Sequence, residues 1–351
     1  MRKKVLYGIV GCGEIAVQTA KAISACEKSD IGIVQDINED MARDLADKYG
    51  VPYCLTLDEV LKEKLIDVVY IATPHYLHAP AAIDAAGHKK HVLVEKPIST
   101  TLRDADRMIE AAKEAGVALS VAFPSRYLER TKMIKQIVDD GAIGRLVGID
   151  FGQYTYKPES YWSGGWTGRI KTDWRTSREK SGGGVFLMNL VHTIDLLRYL
   201  TGLEVTSIAA NWDTFDTEAD VEDFLTATMR YDNGAIGAVR TSTLVEGKAP
   251  PETIEGDRLL GLNGQIFIAL ETVYVFFRKP YRDYNSGTWH RIPTADPWGG
   301  REGMITDFSK AVLAGRQPAI TALDGRRSLE VCLAAYRSGQ TGSVVTLPLL
   351  D

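Results

Sequence analysis

Near the start of the chain, Gly11-Cys12-Gly13-Glu14-Ile15-Ala16 follows the apolar run Val5–Val10. Two glycines spaced by one, with a small residue three further on, suit a backbone that receives a pyrophosphate. The first glycine permits a tight turn, the second lets the diphosphate approach, and Ala16 allows close helix–strand packing. The segment Gly11–Ile15 is then expected to hold the phosphates on the free N–H groups of a helix N-terminus. Twenty residues beyond Ala16, after a second apolar run Ile31–Gln35, stands Asp36. A carboxylate there grips a ribose 2′-hydroxyl and repels a 2′-phosphate. Ile37 and Asn38 come next, with no arginine to welcome that phosphate. NAD is therefore the expected coenzyme, with NADP as the second choice.

Three more clusters carry chemistry. Glu95-Lys96-Pro97 closes the apolar run Val92–Val94, and a lysine at a strand end can act as acid or base if desolvation or a nearby positive charge lowers its pKa. Position alone leaves Lys96 equally a surface lysine closing the strand. Thr73-Pro74-His75-Tyr76-Leu77-His78 ends another strand. Thr73, Pro74, His75 and His78, with Glu95 and Lys96, are the expected cofactor contacts on that side, lining ribose and nicotinamide; His78 reads as local packing rather than direct chemistry. The third cluster is Ser181-Gly182-Gly183-Gly184 followed by Asn189, His192 and Asp195. The last three are spaced by three along a helix and so share a face. A histidine in such a place exchanges protons near neutral pH, or it is a hydrogen-bonded core residue.

Between Phe151 and Trp174 lie seven aromatics amid glycines. Tyr161, Trp162 and Trp166 suit stacking on sugar rings as well as they suit a core or an interface. Arg126, Arg169, Lys171 and Arg175 can contact hydroxyls or anions, or merely solvate the loop. The pairs His75/His78 and His88/His91 lack a carboxylate or cysteine partner in frame, so no metal site is expected.

These groups need a scaffold. Short apolar runs at Val5–Val10, Ile31–Gln35, Val68–Ala72, Val92–Val94 and Ala118–Ala122 alternate with helical patterns at 38–49, 57–63, 79–86 and 102–115. That alternation predicts βαβ units in a doubly wound parallel sheet, with ligands beyond the carboxyl ends of its strands. After about residue 123 the rhythm changes. Helices are predicted at 132–139, 185–200, 301–314 and 325–339. Strands are predicted at 145–151, 265–269, 272–277 and 344–347, and Asn233-Gly234 joins 224–231 to 235–242 as a hairpin. The expected fold class is α/β, with a Rossmann domain over 1–123 and an α+β domain over 124–351 built on a mostly antiparallel sheet.

Size and charge agree with such a fold. The 351 residues allow two cores. A net charge of −5 without a basic block does not indicate nucleic acid or an anionic membrane. No apolar run approaches the roughly 18 residues of a membrane helix. Cys12, Cys26, Cys54 and Cys332 are scattered, which predicts a reduced, cytoplasmic protein.

Gly11–Ala16, Thr73-Pro74, Glu95-Lys96-Pro97 and Gly182–Asp195 together resemble the Gfo/Idh/MocA family, the relatives of glucose-fructose oxidoreductase and inositol dehydrogenase. Trp174-Arg175, Glu222-Asp223 and the ending Ala334-Ala335-Tyr336…Gly342…Leu347-Pro348-Leu349 extend the likeness over nearly the whole chain. The resemblance implies that the sheet of 124–351 is open and serves substrate binding and oligomerisation. It implies a homodimer or homotetramer that moves a hydride between NAD(P) and a hydroxyl of a sugar, cyclitol or derivative. It implies that Lys96 is the catalytic lysine and that His192 contacts the reacting oxygen. Two positions depart from the pattern. Many members carry aspartate four residues before that histidine, where this chain has Met188 and then Asn189; and the usual Thr-Pro-Asn turn reads Thr73-Pro74-His75. Asn189 can orient a group in the site but cannot exchange protons as a carboxylate does. The altered trio leaves two other activities in view, a redox-assisted glycosidase or lyase with tightly held NAD and a non-catalytic sensor.

Overall fold

The computed structural model describes residues 3–168, 171–244, 256–269, 272–294 and 299–350. It divides into two compact units. The first comprises 1–124, 159–183 and 300–329, and the second 125–158, 184–299 and 330–351. The chain thus returns to its first unit twice after residue 124, where a single boundary near 123 would assign everything to the second.

The first unit is built on six strands: β1 (Val5–Val10), β2 (Ser29–Gln35), β3 (Tyr53–Cys54), β4 (Val68–Ile71), β5 (His91–Val94) and β6 (Leu119–Val121). They form one parallel sheet in the order β3-β2-β1-β4-β5-β6, the doubly wound arrangement, with its switch point between β1 and β4. All four residues of β4 are buried. Covered faces account for the continuous apolar runs. Helices start where the sequence supplies caps. The Asn38 side chain accepts from Met41 N–H, Thr56 forms a capping box with Glu59, and Thr101 accepts from Asp104 N–H.

The later segments complete this unit. The helix Arg301–Ala314 packs on the helix Glu14–Ala25, and Ser309 Oγ meets Tyr7 Oη at 2.8 Å inside the core. Ser120 of β6 donates to the Ile320 carbonyl at 2.7 Å. Gly325 lies so close to β6 that a methyl group there would stand 2.5 Å from Val121 Cγ2.

The second unit holds a nine-stranded sheet. Its strands are β7 (Leu146–Tyr154), β8 (Val205–Asp213), β9 (Phe224–Tyr231), β10 (Ile236–Ser242), β11 (Asp257–Gly261), β12 (Gly264–Ile268), β13 (Thr272–Phe277), β14 (Trp289–Pro293) and β15 (Val345–Thr346). The order is β14-β13-β12-β11-β7-β10-β9-β8-β15. Its pairs are antiparallel except for β7 with β10. β9 and β10 form the hairpin marked by Asn233-Gly234, whose glycine has φ +84°. Alternating burial along β9 and β10 leaves one sheet face covered and the other half-exposed.

Some local expectations needed revision. The pattern missed β3, β8, β11 and β14, which are too short or too polar to stand out. The helix expected over 185–200 is a π-helical turn, Phe186–Leu190, running into an α-helix, Val191–Thr201. π-turns inside helices concentrate at functional sites.

Candidate active site

β1 ends in the glycine turn. Gly11 has φ +87°, and a Cβ there would lie 2.7 Å from the Ala72 carbonyl oxygen, so the residue must be glycine to turn against the end of β4. Gly13 differs. Its φ of −69° suits any residue, and a Cβ there would meet nothing within 4 Å. Gly13 is also the N-cap of the helix Glu14–Ala25, and no side chain caps that terminus. An open glycine before uncapped N–H groups fits a diphosphate on both counts. Asp36, at the end of β2, accepts from Cys12 N–H at 2.7 Å and from Asn38 N–H at 2.9 Å. Those bonds fix a carboxylate beside the turn, where a ribose diol would meet it. Ile37 next to it is 90% exposed. Ile15 continues the turn into the helix.

Glu14 points elsewhere. Its carboxylate accepts from Trp166 N–H at 3.2 Å and from Thr167 N–H, so the first residue of the helix tethers the aromatic loop. Burial raises the Glu14 pKa, but the bonds from Thr167 and Trp166 and the charge of Arg175 outweigh it and hold the carboxyl below its ordinary range. Along that loop the aromatics part ways. Trp162 is 1% exposed and belongs to the core; Tyr161 is buried, and Trp166 is 60% exposed. Arg175 stacks over the rings of Tyr161 and Trp174. Arg169 lies outside the described residues.

β4 and β5 pair through Ile71 and Val94, which brings the Thr73-Pro74 turn beside Glu95-Lys96. His78 binds these turns together: Nδ1 lies 2.8 Å from the Pro97 carbonyl oxygen and Nε2 3.0 Å from that of Thr73. His75 is buried, donates from Nδ1 to the Ser181 carbonyl at 2.7 Å and packs on the Trp174 ring. Burial, and then the charges of His78, Lys96 and Arg175, hold its imidazole well below its usual pKa, so it is a neutral wall of this site.

Lys96 is half-buried at the end of β5. Burial lowers its pKa, the Glu95 carboxylate opposes, and the guanidinium charges of Arg301 and Arg175 add to the lowering; together they bring the ammonium down from 10.5 to about 8. An amine with that pKa holds or gives up a proton near neutrality.

In the second unit, His192 and Asn189 are both half-buried, either side of the junction between π-turn and α-helix. Asn189 Oδ1 accepts from Nζ of Lys157 at 2.6 Å. Lys157 is 5% exposed and escaped the sequence reading; a lysine among aromatics just before Pro158 was its one signal. Arg126 grips Asp195 with Nε and Nη2, at 2.8 and 2.5 Å, in a buried pair. That fork positions the His192 helix, a different task from the substrate contact expected of Arg126. Glu222 receives the N–H groups of Gly184 and Phe186 and the Tyr336 hydroxyl, which anchors the start of the π-turn. Among the described residues, no cluster of His, Cys, Asp and Glu could hold a metal ion.

The family model described as "Oxidoreductase family, NAD-binding Rossmann fold" matches residues 5–123, and "GFO/IDH/MocA C-terminal domain" matches 131–259. The chain belongs to the Gfo/Idh/MocA family. Its first domain is the family's NAD-binding Rossmann domain. Among its relatives, myo-inositol 2-dehydrogenase of Thermotoga maritima is 27% identical over 94% of this chain and 95% of that enzyme. Levoglucosan dehydrogenase of Pseudarthrobacter phenanthrenivorans is 27% identical over 91% of this chain and 90% of that one. The solved WlbA dehydrogenase of Bordetella pertussis, in complex with NADH and UDP-GlcNAcA, superposes with a TM-score of 0.82 at 26% identity, covering 99% of this chain and 100% of its own.

Proposed function

We propose that this Gfo/Idh/MocA protein is an NAD-dependent dehydrogenase acting on a CH–OH group of a sugar, cyclitol or sugar derivative. The observation that carries the reading is the placement of Lys96: it stands at the carboxyl end of β5, in the same sheet as β1 and its glycine turn, where burial and the charges of Arg301 and Arg175 lower its pKa to about 8. The relatives support the substrate class by their own activities on inositol and levoglucosan.

NAD, when bound, would supply the acceptor for the hydride of the substrate carbon. The chain's own residues do the rest. Gly11–Ile15 and Asp36 hold diphosphate and ribose, and Thr73, Pro74 and the His75–His78 wall exclude water from the nicotinamide side. Neutral Lys96 accepts the hydroxyl proton as the carbon–oxygen bond becomes a carbonyl. His192, in the second unit, is the histidine to which the family likeness gives the reacting oxygen. Asn189, its acceptor occupied by Lys157, turns its N–H donors to the substrate and takes no proton. Tyr161, Trp166 and Arg175 offer ring faces and a cation to the sugar. We further assign the half-exposed sheet face to a homo-oligomer, to be read by light scattering. The four buried free cysteines suit a reducing, cytoplasmic setting, which fractionation would check.

Lys96→Ala should abolish turnover and leave NAD affinity within a few-fold. Full activity in that variant would refute the assignment. A second reading, redox-assisted cleavage, is favoured by Met188, which stands where many members carry a proton-exchanging aspartate, with only the amide of Asn189 beside it. Sugars, cyclitols and glycosides offered with NAD separate the two: a dehydrogenase accumulates NADH in step with product, whereas cleavage releases product without it.

A further inference from the structure

Beneath Lys96 lies a buried polar network with members from four elements. Glu95 Oε1 accepts from the Tyr70 hydroxyl of β4 at 2.7 Å and from Nη1 of Arg301 at 3.2 Å. The same Arg301 nitrogen donates to Thr19 Oγ1 at 3.0 Å, and Thr19 lies 2.9 Å from the Tyr70 hydroxyl. Glu95 Oε2 accepts from the N–H of Lys96 itself at 3.3 Å. Arg301 is the first residue of its helix, where the helix dipole disfavours a cation. A charge kept there, largely buried, is offset by the Glu95 carboxylate, and a good helix former without charge would serve the helix better.

We propose that Arg301 is a positioning residue for Lys96. It holds Glu95 under the strand end, neutralises that carboxylate in place, and so keeps the neighbouring amine ready to release its proton. The proposal rests on the reading of Lys96 as the proton acceptor and deepens it. Among the described residues, the charged and titratable groups that act on Lys96 include Glu95, Arg301 and Arg175, with His75 and His78 on the adjoining turn. Of these, Glu95 favours the ammonium, and Arg301 and Arg175 disfavour it. Removing Arg301 subtracts one positive charge and leaves the Glu95 carboxylate unopposed, and both changes raise the Lys96 pKa.

The test reads Lys96 directly, without substrate. Full-length protein is pulse-acetylated with acetic anhydride across pH 6 to 11, and modification of the Lys96 peptide is followed by mass spectrometry. Wild type should give a midpoint near pH 8. Arg301→Gln should move it up by about one unit or more, and Arg301→Lys, which restores the charge, should bring most of the shift back. Tyr70→Phe, a milder change, should raise it by a few tenths of a unit, because Glu95 loses a donor. Wild-type midpoints in both Arg301→Gln and Tyr70→Phe would overturn the proposal. Should Arg301→Gln fail to fold, Tyr70→Phe decides alone, a shift supporting the proposal and an unmoved midpoint ending it. A protein whose midpoints move as described but which transfers no hydride from any sugar refutes the dehydrogenase reading and leaves this role standing.

Discussion

At the scale of residues, the proposed chemistry rests on an amine whose charge is made uncomfortable. The Lys96 ammonium is desolvated and faces two guanidinium groups, while Glu95 is partly neutralised by Arg301. The sign of the pH dependence follows. Burial and the cations disfavour the charged form, so the neutral amine that accepts a proton becomes abundant above about pH 8. In the direction of alcohol oxidation, kcat/KM should rise with pH through a midpoint near 8 and level off above it. A profile flat from pH 6 to 10 would remove Lys96 from the step. The other residues around it are defined by what they touch: His78 joins two turns through their carbonyls, and Arg126 serves Asp195. Two of those partners are far along the chain: Pro97 lies 19 residues from His78 and Asp195 69 from Arg126.

At the scale of elements, the two glycines of the turn do different work, and substitution should separate them. Gly11→Ala forces a side chain into positive φ and against the Ala72 backbone. It should cost about 2–4 kcal/mol of stability, seen in denaturant unfolding. Gly13→Ala meets open space and extended backbone. It should leave stability within about 0.5 kcal/mol while weakening NAD binding roughly tenfold to a hundredfold, about 1.4–2.8 kcal/mol, measured by calorimetric titration. Equal losses of stability in both variants would mean that the turn is purely structural. The spacing Gly-x-Gly announced this element in the sequence, but not which glycine is closed by backbone and which is open to ligand. The π-turn before His192 was equally silent: residues 185–200 are uniformly compatible with α-helix, and it is Glu222 and Tyr336, gripping Gly184, Phe186 and Leu187, that set the backbone there.

At the scale of the whole molecule, the Rossmann unit is not a contiguous piece of chain. Residues 300–329 supply Arg301 to the site network, Ser309 to the core and Gly325 to the flank of β6. Gly325→Ala, 2.5 Å from Val121 Cγ2, should therefore destabilise the nucleotide-binding unit by about 1–3 kcal/mol through overpacking. Differential scanning calorimetry with and without NAD would show it, since a ligand bound to the folded unit raises the transition in both proteins. An unchanged transition temperature would mean that the helix slides away at no cost.

What the amino-acid order settled by itself was local and periodic. It comprised the alternation of buried strands and amphipathic helices, the glycine turn, the position of Asp36 twenty residues on and the Asn-Gly hairpin. Those features are written in neighbouring residues, because backbone conformation and helix or strand burial depend on spacings of a few positions. Tertiary structure alone decided the remainder. It brought Arg301 to Glu95 across 206 positions, placed Lys157 on Asn189, returned two distant segments to the first unit, and lowered a lysine's pKa to about 8. Desolvation and charge–charge energy depend on distances through space, and no spacing along a chain encodes those until it has folded.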